Sequence, residues 1–331
     1  MRKQIGLSIV SALLVLSALA RGQTQPVEVN RSGNHLDVLI GGKPFATYYF
    51  DPAVAKPYLQ PLRSAQGTIV TRGFPNGNTV PPEHARDPNL EPHQRPLAFA
   101  HGNTDGLDFW EEEAFEKGFY GGPSRQAYGK LVFQRLAEAH GGPDSGVIQA
   151  EFNMVGPGDW ILGEETQRFT FRGDEKTRII DCEFTLHASH GPLIMGDSKE
   201  GTFGIRVAEE LNSPPGIMVN SLGGVGEKEI WGKRADWVDY FGVVAGEAVG
   251  IAIFDHPQSF RHPTWWHARH YGLFAANPFG IREFTRDPTQ DGSWAISDRQ
   301  SLALRYRVLI HHGDYREAKV AEAYHRYAAG E

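Results

Sequence analysis

Arg178-Ile-Ile-Asp-Cys-Glu-Phe-Thr-Leu186 alternates apolar and polar side chains from Ile180 onward. A period of two sends Ile180, Cys182, Phe184 and Leu186 to one face and Asp181, Glu183 and Thr185 to the other. That is the pattern of a strand with one buried face. Glu165–Phe171, just upstream, reads the same way, and Arg172-Gly-Asp-Glu175 between them supplies turn residues. Outward from this pair the signal repeats. Gly129–Ala139 and Val147–Val155 flank Gly141-Gly-Pro-Asp144, and Val27–Arg31 and Leu36–Ile40 flank Ser32-Gly-Asn34. Phe45–Phe50, Gly201–Val207, Gly242–Asp255 and Ser301–Ile310 complete the set. Strands punctuated by turn chemistry predict a mainly β fold, a large antiparallel β-sandwich, rather than alternating strands and helices. One segment reads as helix: Asp314–Tyr327 opens with an Asp N-cap and a Glu three residues on, and places Ala318, Val320, Ala321, Tyr324 and Tyr327 at helical spacing. No linker or charge break interrupts 25–331, so a single sandwich domain is expected there.

Composition narrows the function. The 331 residues are 40% hydrophobic and 22% charged, with 38 Gly, 21 Pro and one Cys. One cysteine allows neither an internal disulfide nor a thiolate metal cluster, and Cys182 on the buried face of its strand predicts an inert thiol. The formal charge of −7 argues against nucleic acid. Residues 1–22 read as a secretory signal peptide: Arg2 and Lys3, an apolar run Ile5–Leu16, then Ala18-Leu-Ala20. Its removal would take the charge to −10 by the loss of Arg2, Lys3 and Arg21. No later stretch is long and apolar enough to span a bilayer, so a secreted or periplasmic protein is expected.

Two long loops, Gly73–Glu91 and His101–Pro123, bracket polar and aromatic residues, as functional loops do. Four constellations could carry chemistry. The first frames the short apolar strand Leu97–Ala100 with His93, Arg95 and His101, followed by Asp105, Asp108 and Trp110. Its histidines titrate near neutrality and suit proton transfer. The second, Gly196-Asp-Ser-Lys-Glu200, offers Asp197 and Glu200 as bases with Lys199 to keep them ionised, and leads to Arg206. The third sets Asn220 before Trp231, Arg234, Asp236 and Trp237, with aromatic faces to stack on sugar C–H surfaces among groups that bind hydroxyls. The fourth holds His256, His262, Trp266, His267, Arg269, His270, Tyr271 and Asn277. In a strand, His267 and Arg269 would face opposite to Trp266, Ala268 and His270. No named metal spacing, nucleophile elbow, P-loop or dinucleotide fingerprint occurs, so no metal or other cofactor is expected. Gly223-Gly-Val-Gly226 precedes no helix pattern and reads as a turn.

Several stretches in order resemble a bacterial secreted family labelled PmoA-like. They are Lys56–Leu59, Phe99–Gly102 with Asp108–Trp110, Gly196–Gly201, Ile230–Trp237 and Tyr271–Gly280. That family shows Asp-His-x-His-His-Arg-Gly near the first constellation, where this chain reads Leu90-Glu-Pro-His-Gln-Arg-Pro96 and keeps only His93 and Arg95 of the His and Arg positions. The resemblance implies a β-sandwich like those of galactose-mutarotase-like proteins.

The expected function is an exported carbohydrate-active protein, a hydrolase, lyase or epimerase with a carbohydrate or glycoside substrate. His93 or His101 would act as acid and Asp197 or Glu200 as base. Arg95, Lys199, Arg206, Asn220, Arg234, Asp236, His267, Arg269 and Asn277 would position the sugar, with Trp231, Trp237, Trp266 and Tyr271 as its stacking surfaces. The alternatives are a non-catalytic glycan-binding module and a metal-dependent oxygenase.

Overall fold

The computed structural model describes residues 24–87, 89–115 and 127–331. Two eight-stranded sheets dominate it. The first runs in the order Val27–Ser32, His35–Ile40, Lys43–Tyr49, Tyr58–Leu59, Leu97–His101, Gly201–Arg206, Leu273–Asn277, Trp265–Ala268. The second runs Ile217–Asn220, Trp237–Val244, Glu247–Asp255, Ser301–His312, Arg178–His187, Ile161–Gly173, Gly146–Val155, Lys130–His140. Pairing within both sheets is antiparallel.

Arg178–His187 lies between Ile161–Gly173 and Ser301–His312, in register from Arg178 to His187. Its alternation is obeyed: Ile180, Cys182, Phe184 and Leu186 are buried, and Cys182 is a free thiol. Aromatic rings join the sheets. Phe184 stacks on Phe99 with centroids 4.1 Å apart, and Tyr306 stacks on Phe203 at 4.8 Å. Each such buried ring contributes roughly 2–3 kcal/mol by area. One polar thread crosses this core. The Tyr48 hydroxyl donates to Gln167 Oε1 at 2.8 Å, and Gln167 Nε2 donates to Glu165 Oε1 at 2.7 Å. Burial pushes the Glu165 carboxyl up to about 8.

Two expected elements differ. Gly242–Asp255 is not one strand. Trp237–Val244 and Glu247–Asp255 form a hairpin whose turn residues Ala245 and Gly246 both take positive φ, the geometry that matches strand twist. The C-terminal helix is shorter than expected, Val320–Ala328. The Asp314 capping box does form: Asp314 Oδ1 accepts the Glu317 N–H at 2.9 Å and Glu317 Oε2 accepts the Asp314 N–H at 3.1 Å. It closes only a turn, because Lys319 at φ +53° breaks the right-handed run. Val320, Tyr324 and Tyr327 then pack on Trp237, Phe254 and Leu309, while Ala321 stays exposed.

The leader expected at 1–22 lies outside the described residues, as do Pro88 and 116–126 of the two long loops. Among the described residues no helix is long and apolar enough to cross a membrane. Buried arginines pin the first loop. Arg72 donates to the carbonyls of Phe74, Leu90, Glu91 and Gln94, and Arg206 to that of Asn89.

Candidate functional site

Four neighbouring strands of the first sheet position the site: Leu97–His101, Gly201–Arg206, Leu273–Asn277 and Trp265–Ala268. Register aligns Phe99, Phe203, Ala276 and Trp266 in one row, on the core side. The adjacent row, Ala98, Gly204, Ala275 and His267, points the other way. Three small residues and then a histidine leave room above the outer face. Trp110 fills part of it: a Cβ at Gly204 would sit 2.7 Å from the indole ring, which is why glycine stands there.

Asp108-Phe-Trp-Glu-Glu112 folds over this face through one local turn. Asp108 Oδ1 accepts the N–H groups of Trp110 at 2.8 Å and Glu111 at 2.9 Å. Glu112 goes inward and is fully spent on Lys56 at 3.0 Å and on Arg95, whose Nε and Nη2 donate to it at 2.8 and 2.5 Å. Glu111 is half-buried, and four nearby groups shape its titration. Burial, then the charges of Asp108, Glu200 and Glu91, push its carboxyl up to about 7, against the pull of Lys56. Asp108 is pushed up to about 6, chiefly by burial.

Glu200 behaves differently. Burial works to raise it, but His267, the Lys199 ammonium at 2.9 Å and Arg269 together outweigh that and hold it below the usual range. Two staples fix the turn that carries Lys199 and Glu200. Asn277 Nδ2 donates to the carbonyls of Ser198 and Gly201 at 2.9 and 3.0 Å, and Asp197 Oδ2 accepts the N–H of Arg282 at 3.0 Å. His267 is 2% exposed. Its Nδ1–H donates to the Lys199 carbonyl at 3.0 Å, which leaves the Nε2 lone pair. That Nε2 is buried and has no hydrogen-bond partner among the described residues. Burial holds the ring below the ordinary histidine range, against the pull of Glu200. A surface pocket opens beside it. Trp231 and Phe284 belong to the pocket wall, and both meet the imidazole edge-on with centroids 6.4 and 6.2 Å away.

The structure therefore gathers Lys199, Glu200, Trp231, His267 and Arg269, with Tyr271 under the Arg269 guanidinium at 5.3 Å. His93 is buried beside Trp110, where desolvation and the charges of Lys56, Arg72, Arg206 and Arg95 push its pKa well down. Arg206 stacks on Tyr271 at 4.6 Å but spends its donors on Gln94 and Asn89. The other expected residues go elsewhere. His101 faces the core side, donates Nε2–H to the Gly196 carbonyl at 2.7 Å and falls to about 4 through burial. Arg95, Asp197 and Asn277 are committed to the contacts above. Trp266 and Trp237 are buried at 0% and 4% exposure, so neither ring is open to a sugar. Asn220 caps its own turn by accepting the N–H of Leu222 and Gly224. Arg234 lies over Trp265 at 4.5 Å, and Asp236 lies 3.6 Å from His262. Glu111 was not among the expected residues. The only trace of it in the sequence is a run of three acids after Trp110.

The fourth-constellation histidines do not converge on a metal: His262 binds Asp255, His270 binds Glu227 and His256 Nδ1 accepts the Gln258 N–H. Among the described residues, one group has ligand atoms close enough for a cation, His84, Asp87 and Glu209, all within 4.8 Å.

No curated protein matches the chain. Among solved structures it is similar to an alpha-galactosidase from Lactobacillus brevis, at 10% identity over 89% of this chain with a TM-score of 0.40, and spans 40% of that protein's length. It is also similar to the Slr1438 protein from Synechocystis sp. PCC 6803, at 7% identity, 93% and 100% coverage and a TM-score of 0.34. A galactose 1-epimerase from Lactobacillus acidophilus NCFM follows at 8% identity, 89% and 100% coverage and 0.34. Residues 35–325 match one family model over most of the chain, and the protein belongs to that family, the family of unknown function DUF6807.

Proposed function

We propose that this chain is a carbohydrate-active enzyme working by acid–base catalysis on the outer face of its first sheet. The observation that carries the reading is the pairing there of carboxyls with opposite titration. Glu111, near 7, keeps a proton to give at neutral pH, while Glu200, held below the usual range beside Lys199, stays ionised and can accept one. Splitting two neighbouring carboxyls in this way assigns acid and base by environment. Glu111 is the proton donor and Glu200 the acceptor. His267, through its Nδ1–H on the Lys199 carbonyl, holds the turn that presents Glu200. The Trp231 face supplies stacking area for a sugar ring. Asp108 tunes Glu111 electrostatically. The reading includes export, supported by the leader pattern of residues 1–22, and one sandwich domain over 25–331.

The test is turnover of a panel of oligosaccharides. Proton NMR reports anomeric exchange or bond cleavage, and absorbance near the ultraviolet band of a conjugated enoate reports elimination. Turnover that falls by roughly 10²–10⁴ in Glu111→Gln and Glu200→Gln supports the roles. Saturable glycan binding with no turnover in the wild type, unchanged in both variants, replaces the enzyme by a binding module.

A further inference from the structure

The pocket beside His267 opposes the charge of the chain around it. The chain carries −7, yet the pocket is lined by Lys228, Lys233, Arg269 and Arg286 against Glu227 alone. Glu227 is already occupied. It pairs with Arg269 at 3.2 Å and accepts both the Nδ1–H and the backbone N–H of His270, at 2.7 and 2.8 Å. Among the described residues, no ion pair forms on Lys228, Lys233 or Arg286. The three come from separate places: Lys228 from the one-turn helix Glu227–Ile230, Lys233 from just past Trp231, and Arg286 from the left-handed cap of the helix Ile281–Thr285. They converge on one aromatic wall, with the Arg286 guanidinium 5.6 Å from the Trp231 ring centroid. Three like charges in one concavity repel one another. An acidic chain has carboxylates to spare, and none but the occupied Glu227 lines this pocket.

We propose that the pocket receives a sugar unit bearing a negative charge, as a carboxylate or a sulfate ester, with the anion among Lys228, Lys233 and Arg286 and the ring against Trp231. The inference rests on the acid–base reading of the adjoining centre and names its substrate class: an anionic glycan. Arg269, shared with the field that keeps Glu200 ionised, ties the two sites together.

Calorimetric titration of the full chain tests it with two matched pairs. One is trigalacturonate and its methyl ester, the other a sulfated galactan oligosaccharide and its desulfated form. At low salt at least one charged member should bind ten-fold or more tighter than its neutral partner, and the pair that shows it identifies carboxylate or sulfate. The advantage should shrink as salt rises toward physiological strength, as for partly exposed charges. The triple variant Lys228→Gln, Lys233→Gln, Arg286→Gln, with all three positions on the pocket rim, should lose that ten-fold. Equal binding of charged and neutral members, or undiminished charged binding by the triple variant, overturns the inference. If the wild type turns over neutral glycans and binds charged ones no better, the acid–base reading stands and this inference falls. If it binds charged glycans through these three cations and turns over none, the reverse holds.

Discussion

Replacing Asp108 by asparagine should lower the pKa of Glu111, and the change can be followed without any substrate. Glu111 lies near 7 because burial raises it first and the Asp108, Glu200 and Glu91 charges add to that. At pH 7 such a group is about half protonated, whereas an ordinary carboxyl near 4.5 would be under about 1% protonated. The site thus holds roughly a hundred-fold more of the acid form than an unperturbed glutamate. Asp108 is the first of the neighbouring charges that act on the Glu111 carboxyl, and its Oδ1 lies 2.9 Å from the Glu111 backbone nitrogen. A unit charge a few ångströms beyond that, at a half-solvated position, is worth about 1 kcal/mol, or a little under one pH unit. The asparagine side chain keeps an amide oxygen for the Trp110 and Glu111 N–H groups and removes the charge. Carbon-13 NMR titration of glutamate side-chain carboxyls reads the shift, and Glu111→Gln assigns the resonance. The expected result is a wild-type midpoint near 7 that moves down in Asp108→Asn. A wild-type Glu111 titrating below about 5, or one that Asp108→Asn leaves in place, refutes the reasoning.

Three stability predictions follow from buried charges and close packing. Glu165, about 8 folded against 4.5 in the open chain, holds a proton that the unfolded state releases. Its contribution is therefore intact below pH 4.5 and is lost as pH rises toward 8, by up to about 1.4 kcal/mol per unit. Glu165→Gln should gain on the wild type by several kcal/mol between pH 5 and 8 in urea unfolding, and an equal gap at both pH values contradicts this. Glu112→Gln strands Lys56 and Arg95, whose side chains are 0% exposed along with that of Glu112, and should cost about 3–5 kcal/mol by the same assay. Gly204→Ala drives a methyl into the Trp110 ring and should cost about 1–3 kcal/mol, with a changed near-ultraviolet dichroism spectrum.

The strands were legible because their information is local. Ile180 to Leu186 states its own period, and so did the division of Trp266 from His267 across the Trp265–Ala268 strand. The Ala245-Gly246 turn was not, since alanine at positive φ announces nothing. The site was half legible for a related reason. Lys199, Glu200 and His267 stand in conspicuous polar constellations, and the fold brings them together. Arg95 and Arg206 look like ligand-binding residues from their types, but they anchor the first long loop instead, at Gly77, Asn78 and Asn89. Glu111 and Glu112 share one sequence context, three acids in a row, which reads as solvated surface. Only the turn at Asp108, laid over the small residues Ala98, Gly204 and Ala275, leaves one poised near neutrality and buries the other between two cations.

A crystal structure of Glu111→Gln with a bound substrate oligosaccharide puts the siting of the reaction to the most direct test. A sugar oxygen should lie within about 3.2 Å of the residue 111 side chain, a second should approach the Glu200 carboxylate, and a ring should rest against Trp231. A sugar bound elsewhere, for instance on the exposed Trp160 or Trp294 with this face of the sheet left vacant, would contradict it.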